Sequence, residues 1–418
     1  MSLALDLSRW IKPGDRIVIG QACGEPTTLV EALLDQAEAI GGLSAFIATS
    51  FSGLFQPDRV TGLNLSSMGA IGALRSLTPA GKLAIIPCHV SQVGPMIELG
   101  IIGCDVALIQ VSPADKDGNH SLGLVSDHVL AAVTAARTVI AEVNDQVPFT
   151  HGTLLPSAHI DVAVPVSRLP VEVASAKLSP TDQTIAEQAA AYIGDGSVLQ
   201  IGIGGVPDAI LRLLGDRRDL GVHSGMVGDG LVDLIEAGVV TNARKSIDSG
   251  VSVSGALIGT RRLYEFAHNN PLIRMATTAY THDAATLSAL DRLVTVNSAI
   301  EVDLTGQVNA EQSGSAYLGG TGGQVDFVRA GSRSKGGHSI IALPATAKGG
   351  SISRIVTGLK GPVTTARSDV DIIITEFGAA ELKGQSLAER SRRLIAIAHP
   401  DFREDLDRAA FDLRQRGF

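Results

Sequence analysis

Three observations predict an α/β protein made of two duplicated open α/β domains. The first is composition: of 418 residues, 45% are hydrophobic, only 4% are aromatic and 46 are glycine, which suits short buried strands joined to helices by tight turns. The second is a unit of strand, glycine-containing loop and apolar helix that occurs twice. RIVIG at 16–20 leads through a loop into LVEALLDQAEAI, and SVLQI at 197–201 leads through GIGGVP into DAILRLLG. The third is a later echo, in which VALIQVSPADKDGN and VTVNSAIEVDLTGQVN both pass into an Asp-containing turn, with Gly118 in one and Gly306 in the other. Two segments recurring in the same order at similar separation point to duplication.

Taken in order, Arg16 to Gly20 reads as a buried strand ending at glycine, and Pro26 lies close to the first turn of the helix that follows. Further buried strands are predicted at Ser44 to Ala48, Leu83 to Ile86, Val106 to Val111 and Thr138 to Val143. Asp161 to Val173, rich in valine and proline, holds no long helix, whereas Thr181 to Ile193 is helical with Thr181 or Asp182 as its cap. A linker near 175–182 divides the chain into an N-terminal domain, 1–178, and a C-terminal domain, 179–418.

The net charge of -9 excludes a chain that holds nucleic acid or an anionic membrane by bulk electrostatics. No stretch of about 18 apolar residues and no basic-then-apolar leader is present, so neither a membrane span nor a signal peptide is read. Cys23, Cys88 and Cys104 are odd in number and widely spaced, without zinc-ligand or disulfide spacing. They read as reduced cytoplasmic thiols. The ten histidines form no HExxH and no GxSxG elbow occurs, which disfavours metal hydrolysis and serine chemistry.

What remains is a carboxylate. If Val294 to Leu304 is one extended strand, Glu301 and Asp303 share a polar face with Thr295, Asn297 and Ala299. That pattern fits an edge strand with solvated acids as well as a reactive glutamate, which needs no general base because glutamate is ionised near neutral pH. Asp303 reads as structural. Gly202, Gly204 and Gly205, after a strand and before a helix, fit either a tight turn or an anion cradle. Pro207 stands where a dinucleotide fingerprint needs its third glycine. Gly319, Gly320, Gly322 and Gly323 form either a surface tip or a nest of amides suited to developing negative charge.

These stretches together resemble the acetyl-CoA hydrolase/transferase family, in its 4-hydroxybutyrate CoA-transferase-like branch of the class I CoA-transferases. The resemblance runs through GIGGVPDAIL, HSGMVGDGLVDLIEAGVVTN, VNSAIEVDLTGQVNAE, GGTGGQVDFVRA, TEFGAAELKG and IAHPDFR. It implies that Glu301 is the nucleophile and that Gly202, Gly204, Gly205, Gly319, Gly320, Gly322, Gly323 and Gly378 lie along CoA, with Ala276 to Tyr280 as a further wall. It also implies ping-pong transfer of CoA between an acyl-CoA and a small carboxylic acid, with no metal and no permanently bound cofactor. A cytoplasmic homodimer or higher homo-oligomer is the implied assembly. Loops Gln21 to Thr27 and Thr49 to Gly53 would help form the acyl pocket. An acyl-CoA hydrolase using the same glutamate and a non-catalytic CoA-binding protein are the alternatives.

Overall fold

The computed structural model describes residues 5–415. Two compact units interleave along the chain: one runs to Ala174 and resumes over Val253–His282, and the other comprises Ser175–Ser252 and the chain from Asp283 onward. A single cut between 178 and 179 does not describe that interleaving.

In the first unit, strands β1 (Arg16–Ile19), β2 (Leu43–Phe46), β3 (Leu63–Ser67), β4 (Ala84–Ile85), β5 (Val106–Val111), β7 (Thr138–Asn144) and β8 (Val162–Val166) form one parallel sheet. Their order is β8-β7-β5-β1-β2-β3-β4. The short strand β6 (Asn119–Ser121) lies outside it. The chain starts at the middle of the sheet, builds outward through β4, then returns to β5 and builds the other way. Side chains alternate across it as the strand period requires. Ile17 and Ile19 pack with Leu29, Val30 and Leu33 of helix α1 (Thr27–Ile40), while Val18 packs with Val93 and Ile97 on the other face. Pro26 precedes the first residue of α1, and the buried Glu142 of β7 accepts hydrogen bonds from the N–H groups of Thr28 and Leu29 at 2.8 and 3.4 Å.

The second unit repeats the plan. Its main strands are β9 (Val198–Ile201), β10 (Gly221–Val227), β11 (Leu293–Ser298), β14 (His338–Ala342), β16 (Ile372–Thr375) and β17 (Gly378–Glu381). They lie in the order β17-β16-β14-β11-β9-β10, parallel from β9 to β16, with β17 returning antiparallel from β16. Helix α2 (Pro180–Ala190) is capped by Ser179 rather than Thr181 or Asp182. Asp182 instead sits at the third helical position and closes a reciprocal capping box. Helix α3 (Gly205–Leu213) begins inside the glycine loop, so Pro207 occupies its first turn.

The stretch expected as one strand from Val294 to Leu304 is two strands in two sheets. Strand β11 ends at Ser298, and β12 (Glu301–Asp303) pairs with β13 (Val308–Asn309) and β15 (Ile355–Val356) in a small separate sheet. Nor is β11 an edge: it lies between β9 and β14, and Leu293, Val294, Thr295 and Val296 are all buried. A central parallel strand is covered on both faces, which erases the alternation that periodicity relies on.

Candidate active site

In an open parallel sheet the crevice beyond the strand carboxyl ends, where the order of building reverses, is the natural place for a ligand. That reversal falls between β9 and β11 in the second unit. Ser298, Ala342 and Ile374 lie in register across β11, β14 and β16, so the segments after them emerge along one edge. These segments bring Glu301 after β11 and Gly378 after β16 to the same side of the sheet. The Gly202 loop leaves the neighbouring strand β9, whose Ile201 pairs with Val296. The Nδ2 of Asn297 donates to Gln200 Oε1 at 3.1 Å, joining β11 to β9 near their ends.

Glu301 is half-buried, and its Oε1 accepts hydrogen bonds from Asn309 Nδ2 at 3.0 Å and from the backbone N–H of Lys360 at 3.1 Å. Asn309, fully buried and directly across the β12–β13 ladder, has its amide orientation set by four bonds. Its Oδ1 accepts from the N–H groups of Glu311 and Gln312 at 3.0 and 3.1 Å, so its Nδ2 is turned to Glu301 and to the Gln312 carbonyl at 2.7 Å. Gly361 packs against that amide so closely that a Cβ would stand 2.4 Å from Asn309 Nδ2. Among the described residues no hydrogen bond reaches Glu301 Oε2.

Asp303, two residues on, serves the turn: its carboxylate accepts from the N–H of Thr305 and of Gln307 and from their side chains at 2.7–3.0 Å. Glu311 is a buried anchor behind the site, accepting from Thr364 Oγ1 at 2.8 Å and from the Tyr317 hydroxyl. Burial, and next the adjoining Glu311, push the Tyr317 hydroxyl above its ordinary pKa, which keeps it a donor.

The glycine cluster runs alongside this turn. At one end Gly319 N–H donates to Glu311 O at 3.0 Å, and a Cβ on Gly319 would lie 2.5 Å from Ala310 O. At the other end Gly323 precedes helix α4 (Gln324–Arg333), where Gln324 Nε2 donates to Ser298 O at 2.9 Å. Gly320 and Gly322 lie between these two anchors, and Gly322 has a φ of 54°. Gly319, Gly320, Gly322 and Gly323 are therefore tied at both ends to the segment that carries Glu301. Gly204 adopts a φ of 118° as α3 begins, and Gly205 leaves no room for a side chain because the Asp182 carboxylate would be 2.7 Å from its Cβ. A Cβ on Gly202 meets nothing within 4 Å, so that position faces open space. Gly378 closes the turn from β16 to β17 with a φ of 132°.

Sequence reasoning missed Asn309, Lys360, Gly361 and Arg354. Asn309 lay inside a quoted motif but carries no charge to draw attention, and Lys360 contributes its backbone N–H, which any residue but proline supplies. Arg354 donates to Ala299 O at 3.3 Å, and burial lowers its pKa against the opposing effect of Glu376. Nothing in its sequence neighbourhood marks it.

The remaining expected segments belong to the first unit. Loops Gln21 to Thr27 and Thr49 to Gly53 do meet there: Glu25, almost fully buried, accepts from Ser50 Oγ at 2.7 Å and Ser52 Oγ at 2.5 Å. Burial pushes its carboxyl up to about 7, against the two hydroxyls that lower it. Gln21 Nε2 donates to Asp127 at 2.5 Å, and burial likewise pushes Asp127 to about 7. Ala276 to Tyr280 also falls in this unit, with the N–H of Thr278 donating to Asp127 O at 3.0 Å.

Comparison with known proteins bears on what this arrangement does. Residues 4–173 match the acetyl-CoA hydrolase/transferase N-terminal domain, and residues 259–410 match the C-terminal domain of the same family. The chain is 38% identical to a 4-hydroxybutyrate coenzyme A transferase of Clostridium kluyveri, over 95% of this chain and 94% of that one. A succinyl-CoA:cyclohexane-1-carboxylate CoA transferase of Geobacter metallireducens is 34% identical over 96% of this chain and 92% of that one. Among solved structures, RipA from Yersinia pestis superposes with a TM-score of 0.91 at 34% identity, covering 97% of this chain and 96% of that one.

Proposed function

The chain belongs to the acetyl-CoA hydrolase/transferase family, and on that premise we propose that it moves CoA between an acyl-CoA and a short-chain carboxylate, with Glu301 carrying the group in transit. The observation behind the role of Glu301 is its half-buried carboxylate at the reversal point of the sheet, with one oxygen held by two donors and the other without a hydrogen bond among the described residues. Restraint at Oε1 supports an aimed Oε2, and positioning of this kind accounts for much of the advantage of an enzymic nucleophile.

In this reading Oε2 attacks the thioester carbonyl, the C–S bond breaks, and an acyl-glutamyl anhydride and CoA thiolate result. The thiolate then attacks the glutamyl carbonyl, giving a glutamyl-CoA thioester and releasing the first carboxylate. A second carboxylate attacks that thioester carbonyl and expels the thiolate, which finally attacks the new acyl carbonyl and frees Glu301. Each C–S bond broken is replaced, so no ATP is consumed. The amides of Gly319–Gly323 are the candidate donors to the tetrahedral oxyanions. Free acids of four carbons or fewer and related small acids are the proposed acceptors, with no tightly bound cofactor.

A cytoplasmic homodimer is part of the same proposal, and the burial of Cys23, Cys88 and Cys104 as free thiols suits a reducing compartment. Among the described residues no helix is long and apolar enough to cross a membrane.

The test is incubation with an acyl-CoA, borohydride reduction and peptide mass spectrometry. Reduction of a glutamyl thioester should mark Glu301. A mark on a different acid would move the nucleophile and leave CoA transfer standing, whereas failure to exchange CoA with any small acid would sink the activity itself.

A further inference from the structure

Arg354 stands beside Glu301 and has no part in the chemistry above. Strand β15 pairs with β12 so that Val302 lies across from Ile355, and both are fully buried in one core cluster. Successive side chains on a strand point to opposite faces, so the residues one step earlier, Glu301 and Arg354, turn away from that core together, and both are half-buried. The backbone of Arg354 is fixed on two sides: its carbonyl accepts from the Val302 N–H at 2.8 Å, and its N–H donates to Ala345 O at 2.9 Å. Its Nη1 donates to Ala299 O at 3.3 Å, which sets the guanidinium against the turn that delivers Glu301.

The surrounding protein does not use up this cation. Among the described residues Arg354 closes no ion pair, and its Nε is buried without an acceptor. A buried charged donor left unpaired is costly, so its retention here needs a reason. Burial disfavours the charge and the field of Glu376 works against that loss. Glu376 nevertheless turns its Oε2 to the Ala345 N–H at 2.8 Å and does not bond to the guanidinium. What remains is a planar fork of N–H donors next to the proposed nucleophile, a shape that matches a carboxylate.

We infer that Arg354 receives the carboxylate of the small acid and holds it for attack on the glutamyl-CoA thioester. The inference rests on CoA transfer through Glu301 and adds to it the side chain that recognises the acid. Charge gives the contact its timing. In the resting enzyme Glu301 is itself an anion beside the guanidinium and opposes the entry of a second carboxylate. Once Glu301 is joined to CoA that negative charge is gone, and the Arg354 cation then favours an anion at the moment when there is a thioester to attack. The acid's oxygen bonds to the glutamyl carbonyl carbon, the C–S bond breaks and its electron pair leaves with the CoA thiolate. Water and other neutral nucleophiles draw no such benefit from the guanidinium, so the same residue favours transfer over hydrolysis.

The experiment charges the enzyme with an acyl-CoA, removes the released acid by gel filtration, and discharges the glutamyl-CoA with two nucleophiles in parallel. One is whichever of acetate, propionate and butyrate the wild type uses fastest, read as new acyl-CoA. The other is hydroxylamine, which is neutral: its nitrogen bonds to the same carbonyl carbon, the C–S bond breaks, its proton passes to the thiolate, and free CoA is read. Arg354→Gln should slow discharge by the acid about 30-fold and leave discharge by hydroxylamine nearly unchanged. Arg354→Lys should recover part of the loss, because an ammonium supplies the charge without the fork. Equal slowing with both nucleophiles would make Arg354 a support for Glu301, and no slowing with either would make it a bystander; each result overturns the inference. If the wild type exchanges CoA but forms no thioester on Glu301, that nucleophile is wrong, and the steady-state KM for the acid decides the role of Arg354 separately: a rise in Arg354→Gln sustains it and an unchanged value ends it. Absence of any CoA exchange in the wild type would sink the transfer reading, and this role with it.

Discussion

The turn after β5 in the first unit and the turn after β11 in the second are built alike and differ where it matters. In one, Asp115 Oδ1 accepts from the N–H groups of Asp117 and Asn119; in the other, Asp303 Oδ1 accepts from Thr305 and Gln307. Gly118 N–H returns to Asp115 O as Gly306 N–H returns to Asp303 O, and Ser112 N–H bonds to Ser121 O as Ile300 N–H bonds to Asn309 O. Matching positions put Pro113 where Glu301 stands and Ser121 where Asn309 stands. The loops after β1 and β9 differ in the opposite sense: Gly24-Glu25-Pro26 in the first unit corresponds in sequence to Gly205-Val206-Pro207 in the second. Each half thus keeps one acid near its reversal point, in a different loop. In the first it is buried among hydroxyls, and in the second it is half-open and held by amides. One duplicated scaffold can therefore store a carboxyl in one half and present a carboxylate in the other.

The largest effect should come from the acid itself. Glu301→Gln is isosteric and should lower kcat by about 10⁴-fold or more, while Pro113→Ala, its counterpart, should leave kcat near the wild-type value. Measured under saturating acyl-CoA and acceptor acid, comparable losses in both variants would break the contrast between the halves. Next is the partner position. Asn309→Ala removes the donor that aims Oε1 and should cost about 100-fold in kcat. Ser121→Ala instead removes a hydroxyl bonded to Gly123 N, Thr150 N and Thr150 O, so it should lower unfolding stability by about 1–3 kcal/mol with kcat retained. A fall in kcat for Ser121→Ala matching that of Asn309→Ala would assign both turns the same job.

How much of this could be read beforehand follows from where the signals lie. Strands β1, β5 and β9 and helix α1 were legible because short β-branched runs ending at glycine and a periodic apolar helix are local signals. The duplication was legible because the Asp-turn-Gly units recur. The break after Ser298 was not, since a central strand hides its periodicity and β12 pairs not only with its neighbour β13 but also with β15, far along the chain. Lys360 reaches Glu301 across 59 residues, and Gly361 reaches Asn309 from a similar distance along the chain, by backbone shape alone, and no residue type announces that. The glycines at 319–323 were visible as a cluster, but their tethering through Glu311 O and Gln324 is a tertiary fact.

The last contrast concerns Glu25, whose effect should appear in stability. Its folded-state carboxyl is raised from 4.5 to about 7, first by burial, so between these values the native state binds more protons than the unfolded chain. Stability therefore falls as pH rises through that window, by roughly 3 kcal/mol at most for this shift. Glu25→Gln keeps a neutral acceptor for Ser50 and Ser52 and removes the titration, so its urea midpoint should drop less between pH 5 and pH 7.5 than that of wild type. Asp127, also raised to about 7, leaves part of the slope in place, while Asp105, lowered to about 2 by its Arg16 partner, acts below this window. An unchanged slope in Glu25→Gln would mean that the first unit does not store a neutral carboxyl after β1, and the opposition between a stored and a presented acid would then rest on Glu301 alone.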